Sequence, residues 1–101
     1  MENKFYRIKA EITLNEGNRK TSVRNGYRPA FACNGKLITG HVIILETSFL
    51  KPGESGIAEV SFIPNDFLKN IKAGDVIPFY EGPVLQLGYI VVKKIYGRRK
   101  E

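Results

Sequence analysis

The segment NRKTSVRNGYRPAF, residues 18–31, combines positive charge with a tight-turn signal. Its cations are Arg19, Lys20, Arg24 and Arg28. Lysine and arginine bind phosphate groups, and Asn25-Gly26 readily adopts the positive φ of a tight turn, so we expect the segment to present its cations together to a polyanion. The alternative is a set of ordinary solvated charges on a hairpin, which is the usual role of surface cations.

A second basic group closes the chain. It consists of Lys93, Lys94, Arg98, Arg99 and Lys100. If the last strand of an antiparallel barrel lies near the early hairpin, the two basic groups form one stripe along a phosphate backbone; the alternative is a solvated surface. We interpret Tyr27 and Phe31 as core anchors rather than as base-stacking platforms.

Cys33 and His41 are the only cysteine and the only histidine. A thiol in contact with an imidazole forms a nucleophile–base pair, but no third residue that would orient the imidazole and no oxyanion loop is recognisable. We therefore interpret Cys33 as a buried, inert thiol and His41 as a core or sheet-face side chain. A single cysteine also excludes an intrachain disulfide and a thiolate zinc site.

The acidic residues and glycines predict no metal or cofactor site. Asp66 and Asp75 flank a short segment and the other carboxylates are scattered, so neither a metal-ligand cluster nor an acid–base pair is recognisable. The glycine patterns that cradle nucleotides, GxxxxGK(S/T) and GxGxxG, do not occur. We expect a non-enzymatic protein without catalytic residues, metal or cofactor, and without GTP binding.

Composition is typical of one small globular domain. The chain has 101 residues, of which 43% are hydrophobic, and a formal net charge of +6 that favours polyanionic or acidic partners. The longest apolar run is residues 42–45 and the N-terminus lacks the apolar core of a signal peptide, so we expect a cytoplasmic protein that does not cross a membrane. We assign residues 1–101 to a single domain, with a frayed basic tail at 97–101.

Alternating hydrophobicity predicts an all-β chain. Residues 5–14 read as a half-buried strand, and residues 20–24 are expected to run back from it as the second arm of a hairpin. Residues 28–33 and 37–45 flank Asn34-Gly35 and predict another hairpin. Further strands are predicted over 56–63, 75–80 and 84–96, a bend at Gly88, and a short helical turn over 66–72. Six or seven strands without a long helix favour a small antiparallel barrel or sandwich.

The order of these features closely resembles the C-terminal β-barrel domain of bacterial elongation factor Tu. The similar stretches are KFYRIKAEITLNEGNRKTSVRNGYRPAF (4–31), LITG (37–40), KPGE (51–54) and GYIVVKKIYG (88–97). The Gly-Tyr-Arg-Pro unit is the most specific of these signals. The resemblance spans nearly the whole chain and implies a closed, six-stranded antiparallel barrel of the translation-factor C-terminal-domain type.

The resemblance also implies a set of RNA contacts. In the family this domain contacts the T stem of aminoacyl-tRNA through the RNA backbone, and it packs against the GTPase domain and the nucleotide-exchange factor without catalytic residues of its own. Positions that match those contacts are Arg19, Lys20, Thr39, Glu81 and Gly82, with Lys20 in place of a histidine. Three positions depart from the family's glutamine, basic residue and arginine, namely Ala30, Ile63 and Leu85.

Two functions are consistent with these observations. The first is a translation-associated binding module that contacts tRNA or other RNA through the basic hairpin. The second is a protein-interaction module, such as a toxin-neutralising immunity protein or a competitor for the partners of elongation factor Tu. The second arises because the 101 residues contain no counterpart of the family's GTPase domain or second barrel.

Overall fold

The architecture is a small closed β-barrel. A computed structural model of the chain describes residues 6–16, 23–33, 35–47, 49–62, 70–81 and 85–98. Within these ranges the strands are β1 (Tyr6–Leu14), β2 (Val23–Arg24), β3 (Ala30–Cys33), β4 (Lys36–Ile44), β5 (Phe49–Leu50), β6 (Ser55–Phe62), β7 (Val76–Glu81) and β8 (Leu85–Arg98). Six strands close an antiparallel barrel in the order β1-β6-β4-β3-β7-β8, and β2 pairs with β5 in a separate small sheet. The predicted closed antiparallel barrel is confirmed.

Aromatic rings fill the centre of the barrel. The Phe31 ring centroid lies 5.4 Å from that of Phe62 and 5.7 Å from that of Phe79. Tyr27 packs edge-on against Phe79 with centroids 6.1 Å apart. The interpretation of Tyr27 and Phe31 as core anchors is therefore confirmed. Around the rings, the strand alternation predicted for β1 buries Ile8, Ala10, Ile12 and Leu14.

β8 approaches its neighbours most closely at Gly88. A Cβ at this position would overlap the Thr13 carbonyl oxygen and lie 2.8 Å from Phe79 Cζ. The β7–β8 register shifts between Phe79 and Tyr80, so that Leu87 has no partner on β7. Leu87 and Gly88 are consequently both buried, although they are neighbours in one strand. The position predicted as a bend is a β-bulge beside a close backbone contact.

The predicted hairpin between the first strand and residues 20–24 is wrong in its pairing. β1 pairs with β6 on one side and with β8 on the other. The described end of the predicted return strand, β2, pairs with β5, a two-residue strand that the sequence did not predict. Both edges of β1 are already occupied by long partners, so a local return strand has no free edge to join.

The second predicted hairpin is confirmed. β3 and β4 pair from Ala30 opposite Thr39 to Cys33 opposite Lys36, and Gly35 in the connection has a φ of 81°. The later strands lie within two residues of their predicted bounds. Most of the helical turn predicted over 66–72 falls outside the described residues.

Candidate nucleic-acid interface

The turn at Asn25-Gly26 is fixed to β4 by backbone hydrogen bonds. The Tyr27 N–H donates to the Arg24 carbonyl oxygen at 3.2 Å and closes the turn, and Gly26 adopts a φ of 90° at its third position. The Gly26 N–H donates to the Val42 carbonyl oxygen at 3.1 Å, and the Val42 N–H donates to the Tyr27 carbonyl oxygen at 2.9 Å. The predicted turn is confirmed, and it is part of the barrel rather than a projecting loop.

The Asn25 side chain adds a further attachment. Its Oδ1 accepts a hydrogen bond of 2.5 Å from the Ile44 N–H at the end of β4. The sequence identified Asn25 only as a turn former, because this contact joins residues 19 positions apart. Arg24 and Arg28, which flank the turn, are both exposed. They are therefore presented from a turn that is attached at several points.

Strand register places Arg28 opposite His41. Tyr27 forms a bridge with Val42, so the next residue along, Arg28, lies opposite the residue before Val42 in the antiparallel strand. Tyr27 points into the core, and Arg28 therefore points outward. His41 is half-buried on the same outer surface, which confirms the sheet-face interpretation of this histidine over the core one.

Thr39 extends this surface. It is exposed on β4, two residues from His41 on the same face, which is a separation of about 7 Å. Sequence reasoning singled out Thr39 and Arg28, and the structure places both on one outer surface; it adds His41, which the sequence had not assigned to binding. We call Arg24, Arg28, Thr39 and His41 the turn patch.

Glu81 lies at the border of the turn patch. Tyr80 pairs with Ala30 on β3, so the exposed Glu81 at the end of β7 lies beside the chain just before Ala30. A carboxylate there repels a phosphate but accepts a hydrogen bond from a hydroxyl group. The other three predicted site residues, Arg19, Lys20 and Gly82, lie outside the described residues.

Strand pairing does not join the two basic groups in the part of the chain that the structure describes. Starting from Arg28, one register row passes through His41 on β4, Ser61 on β6 and Arg7 on β1, three strand steps away. Lys94 of β8 lies opposite Lys9 of β1, and β8 pairs with β1 and β7. The expected single stripe is therefore not formed by neighbouring strands, because β8 does not pair with the turn or with β4.

The paired strands β1 and β8 carry a cluster that sequence reasoning did not find. Arg7 Cζ and Lys94 Nζ each lie 5.6 Å from the centroid of the Tyr96 ring. Arg7 Nη1 lies 3.6 Å from Glu59 Oε1. We call Arg7, Lys9, Lys94 and Tyr96 the basic cluster. Alternation in β1 indicated that Arg7 and Lys9 face outward, but only the β1–β8 pairing brings them to the C-terminal lysines.

Cys33 and His41 do not form a pair. Cys33 is buried and lies opposite Lys36, five residues along β4 from His41, which corresponds to about 17 Å along the strand. Cys33 faces the core, whereas His41 faces outward. Burial raises the pKa of the Cys33 thiol to about 11, so the thiolate needed for nucleophilic chemistry is disfavoured. The interpretation of Cys33 as buried is confirmed.

The described ranges offer neither a metal site nor a membrane-spanning helix. They contain no group of three or more histidine, cysteine, aspartate or glutamate side chains arranged to hold a metal ion. In the same ranges, no helix has the length and apolar character needed to cross a membrane.

No protein-family model matches the chain, and no curated protein sequence matches it significantly.

Proposed function

We propose that this protein is a non-enzymatic, translation-associated module that binds the sugar–phosphate backbone of tRNA or other RNA through the turn patch. The observation that carries the proposal is the register that sets Arg28 opposite His41 with Thr39 beside them, on a turn hydrogen-bonded to β4. The resemblance of residues 4–31 to the tRNA-binding barrel of elongation factor Tu supports the choice of ligand. That resemblance adds Arg19, Lys20 and Gly82 to the contact surface.

The chemistry of the turn patch suits a phosphate backbone. Arginine presents a planar fork of donors that matches a phosphate group, and no carboxylate among the described residues forms an ion pair with Arg24 or Arg28. Thr39 supplies a hydroxyl donor on the same surface. Because phosphate contacts carry no sequence information, we expect modest sequence specificity.

Glu81 gives a means of distinguishing RNA from DNA. Its carboxylate, at the border of the turn patch, is placed to accept a hydrogen bond from a ribose 2′-hydroxyl, which DNA lacks. RNA is therefore expected to bind more tightly than DNA of the same sequence and structure, and Glu81→Ala is expected to reduce that preference. Equal affinity of the unaltered protein for both would argue against this role of Glu81.

Titration of fluorescently labelled tRNA, followed by anisotropy at several salt concentrations, tests the proposal. We expect binding that weakens as salt rises, and further weakening by roughly fivefold for Arg19→Ala and for Arg28→Ala. Lys36→Ala is the matched control, since Lys36 is exposed at the start of β4, five residues from His41 and outside the turn patch. Absence of binding at low salt contradicts the proposal.

A protein-interaction module is the second candidate, favoured by exposed apolar side chains on the outside of the barrel. Leu37 of β4 is 51% exposed and Val76 of β7 is 62% exposed. Their strands flank β3, whose outward Ala32 pairs with Leu37. If this function is correct, a pulldown with the unaltered protein recovers a stoichiometric protein partner from its native cell extract. A pulldown with a Leu37→Asp, Val76→Asp double variant is then expected not to recover it. Recovery of RNA without such a partner counts against it.

A further inference from the structure

We propose that the basic cluster is a second nucleic-acid surface, separate from the turn patch, and that it binds an unpaired strand. The inference rests on the proposed function for the class of ligand. It concerns different residues, on β1 and β8, so each surface can be tested without the other.

Two β-bulges create the cluster. Lys9 pairs with Lys94 and the next residue, Ala10, pairs with Val92, so Lys93 has no partner on β1. A second shift, between Arg7 and Ile8, leaves Tyr96 without a partner in the same way. A regular strand would turn every second side chain inward, whereas Lys93 and Lys94 are both exposed. Bulges are commonly found where a side chain is redirected for function.

The basic cluster carries more positive charge than the nearby carboxylates balance. Lys9 and Lys94 lie directly opposite each other, and like charges at opposed positions destabilise a sheet. Arg7 is two residues from Lys9 on the same outer face. Three carboxylates lie nearby: Glu59 opposite Lys9 on β6, Glu11 two residues further along β1, and Asp75, whose carbonyl oxygen accepts a hydrogen bond from the N–H of Val92 beside Lys93. With Lys93 included, the cations number four against these three. A bound polyanion relieves the remaining repulsion.

Tyr96 distinguishes an unpaired strand from a duplex. The Tyr96 side chain is 42% exposed, with Arg7 and Lys94 over its ring. Exposed aromatic rings combined with arginine and lysine are the usual platform for stacking a nucleobase, which here takes the place of a cation over the ring. The faces of bases are available in a single strand but are covered in a helix. Lys9 and Lys94 are then placed to contact the phosphates on either side of the stacked base.

Titration of the protein with a fluorescent oligouridylate and with a duplex RNA of equal length tests the inference. A length of about ten nucleotides exceeds the smallest single-strand sites of barrel domains. We expect the single strand to bind in a salt-dependent manner. Lys94→Ala and Tyr96→Ala are each expected to weaken it at least about fivefold, while Tyr96→Phe retains binding. Lys51→Ala serves as the matched control here, since Lys51 is exposed after β5 and outside the basic cluster. Thermal unfolding of each variant verifies that it is folded, and Lys94→Arg is expected to restore binding.

The outcomes separate the two surfaces. Loss of oligouridylate binding in Lys94→Ala but not in Arg28→Ala supports the basic cluster even if tRNA does not bind the turn patch. Equal effects of Lys94→Ala, Tyr96→Ala and Lys51→Ala on oligouridylate overturn the inference. Preference of the cluster for the duplex overturns it as well, and so does binding of polyglutamate with no binding of oligouridylate, which would identify an acidic protein as the ligand.

Discussion

Asn25 is the residue on which the geometry of the turn patch depends most. Asn25→Ala removes the acceptor for the Ile44 N–H, which is part-buried, and we expect a loss of about 1 to 2 kcal/mol of unfolding free energy. We also expect weaker tRNA binding, because Arg24 and Arg28 lose part of their attachment. Urea denaturation and tRNA titration measure the two effects. Asn70→Ala, at an exposed position, is the control. If Asn25→Ala changes neither the unfolding free energy nor the affinity for tRNA, Asn25 does not have this role.

Cys33 gives the protein a pH-dependent stability at high pH. Its thiol has an ordinary pKa of 9.0 and burial raises the pKa to about 11 in the folded state. Between these values the unfolded chain loses the proton and the folded chain keeps it, so stability is full below pH 9.0 and falls as pH rises toward 11. The loss is on the order of 2 kcal/mol.

Comparison with Cys33→Ala isolates this effect, since the raised pKa of Tyr6 is common to both proteins. The difference in urea unfolding free energy between the two is expected to shrink steadily from pH 8.5 to pH 11, starting just below the ordinary thiol pKa of 9.0. A difference that stays constant over this range would show that the thiol is not sheltered in the folded state.

Gly88→Ala is expected to be among the most damaging single-methyl changes. The added Cβ meets backbone atoms, the Thr13 carbonyl oxygen and, at 3.2 Å, Leu14 Cα, which cannot rotate away as a side chain can. β1 and β8 must separate locally, at a cost of about 1 to 3 kcal/mol or more. Chemical denaturation measures this loss of unfolding free energy. A loss below about 0.5 kcal/mol would show that the close contact is absent.

At the scale of elements, the β3–β7 seam is the weakest part of the barrel. These strands share two register pairs, whereas β1 has eight with β6 and nine with β8. Pro78 has no N–H to donate, which limits any extension of the ladder along β7. A cavity of about 190 Å³, lined in part by Ala32, Cys33, Val76 and Ile77, lies where the pairing stops.

Hydrogen exchange tests this ranking of elements. We expect the amides of β7 to exchange faster than those of β1, because opening the seam breaks few hydrogen bonds and little core packing. Two-dimensional NMR of the protein in deuterated buffer resolves the two groups. Uniform protection of β1 and β7 would mean that the barrel opens only as a whole.

The elements show which parts of the fold the sequence could predict. Period-two alternation identified β1 and the later long strands, and Asn25-Gly26 and Asn34-Gly35 identified two turns, because these signals act over a few neighbouring residues. β5 has only two residues, which is too short to show a pattern. Its pairing with β2 depends on contacts distant in sequence. The prediction of a local hairpin after β1 was wrong for the same reason, since the pairing of β2 depends on contacts distant in sequence.

The same limit applies to the candidate surfaces. Arg24, Arg28 and Thr39 were identified from the sequence as candidate contacts, because a turn signal and a resemblance to a motif each involve only a few neighbouring residues. The basic cluster was missed because Lys9 and Lys94 are neighbours only through β1–β8 pairing, and the two bulges that expose Lys93 beside Lys94 leave no signature in the sequence. Alternation along one strand shows which cations face outward, but it does not show which residue of a neighbouring strand lies beside them.

At the scale of the whole molecule, the turn patch and the basic cluster lie on different strands of one barrel, with Arg28 three strand steps from Arg7 in the same register row. Under the two proposals, one protein would hold two segments of RNA at once, and the effective concentration of the second segment would then raise the overall affinity. Variants of the two surfaces are expected to have additive effects on short ligands that reach only one of them.

The most direct measurement is the salt dependence of tRNA binding for the unaltered protein and for an Arg24→Ala, Arg28→Ala double variant. Each phosphate contact contributes about 0.7 to 0.9 to the slope of log K against log salt concentration, so losing both arginines is expected to lower the slope by roughly 1.4 to 1.8. A double variant of Lys36 and Lys72 to alanine, both exposed and outside the turn patch, is expected to keep the slope of the unaltered protein. If the arginine variant also keeps that slope, or if tRNA does not bind at low salt, the turn patch does not contact an RNA backbone.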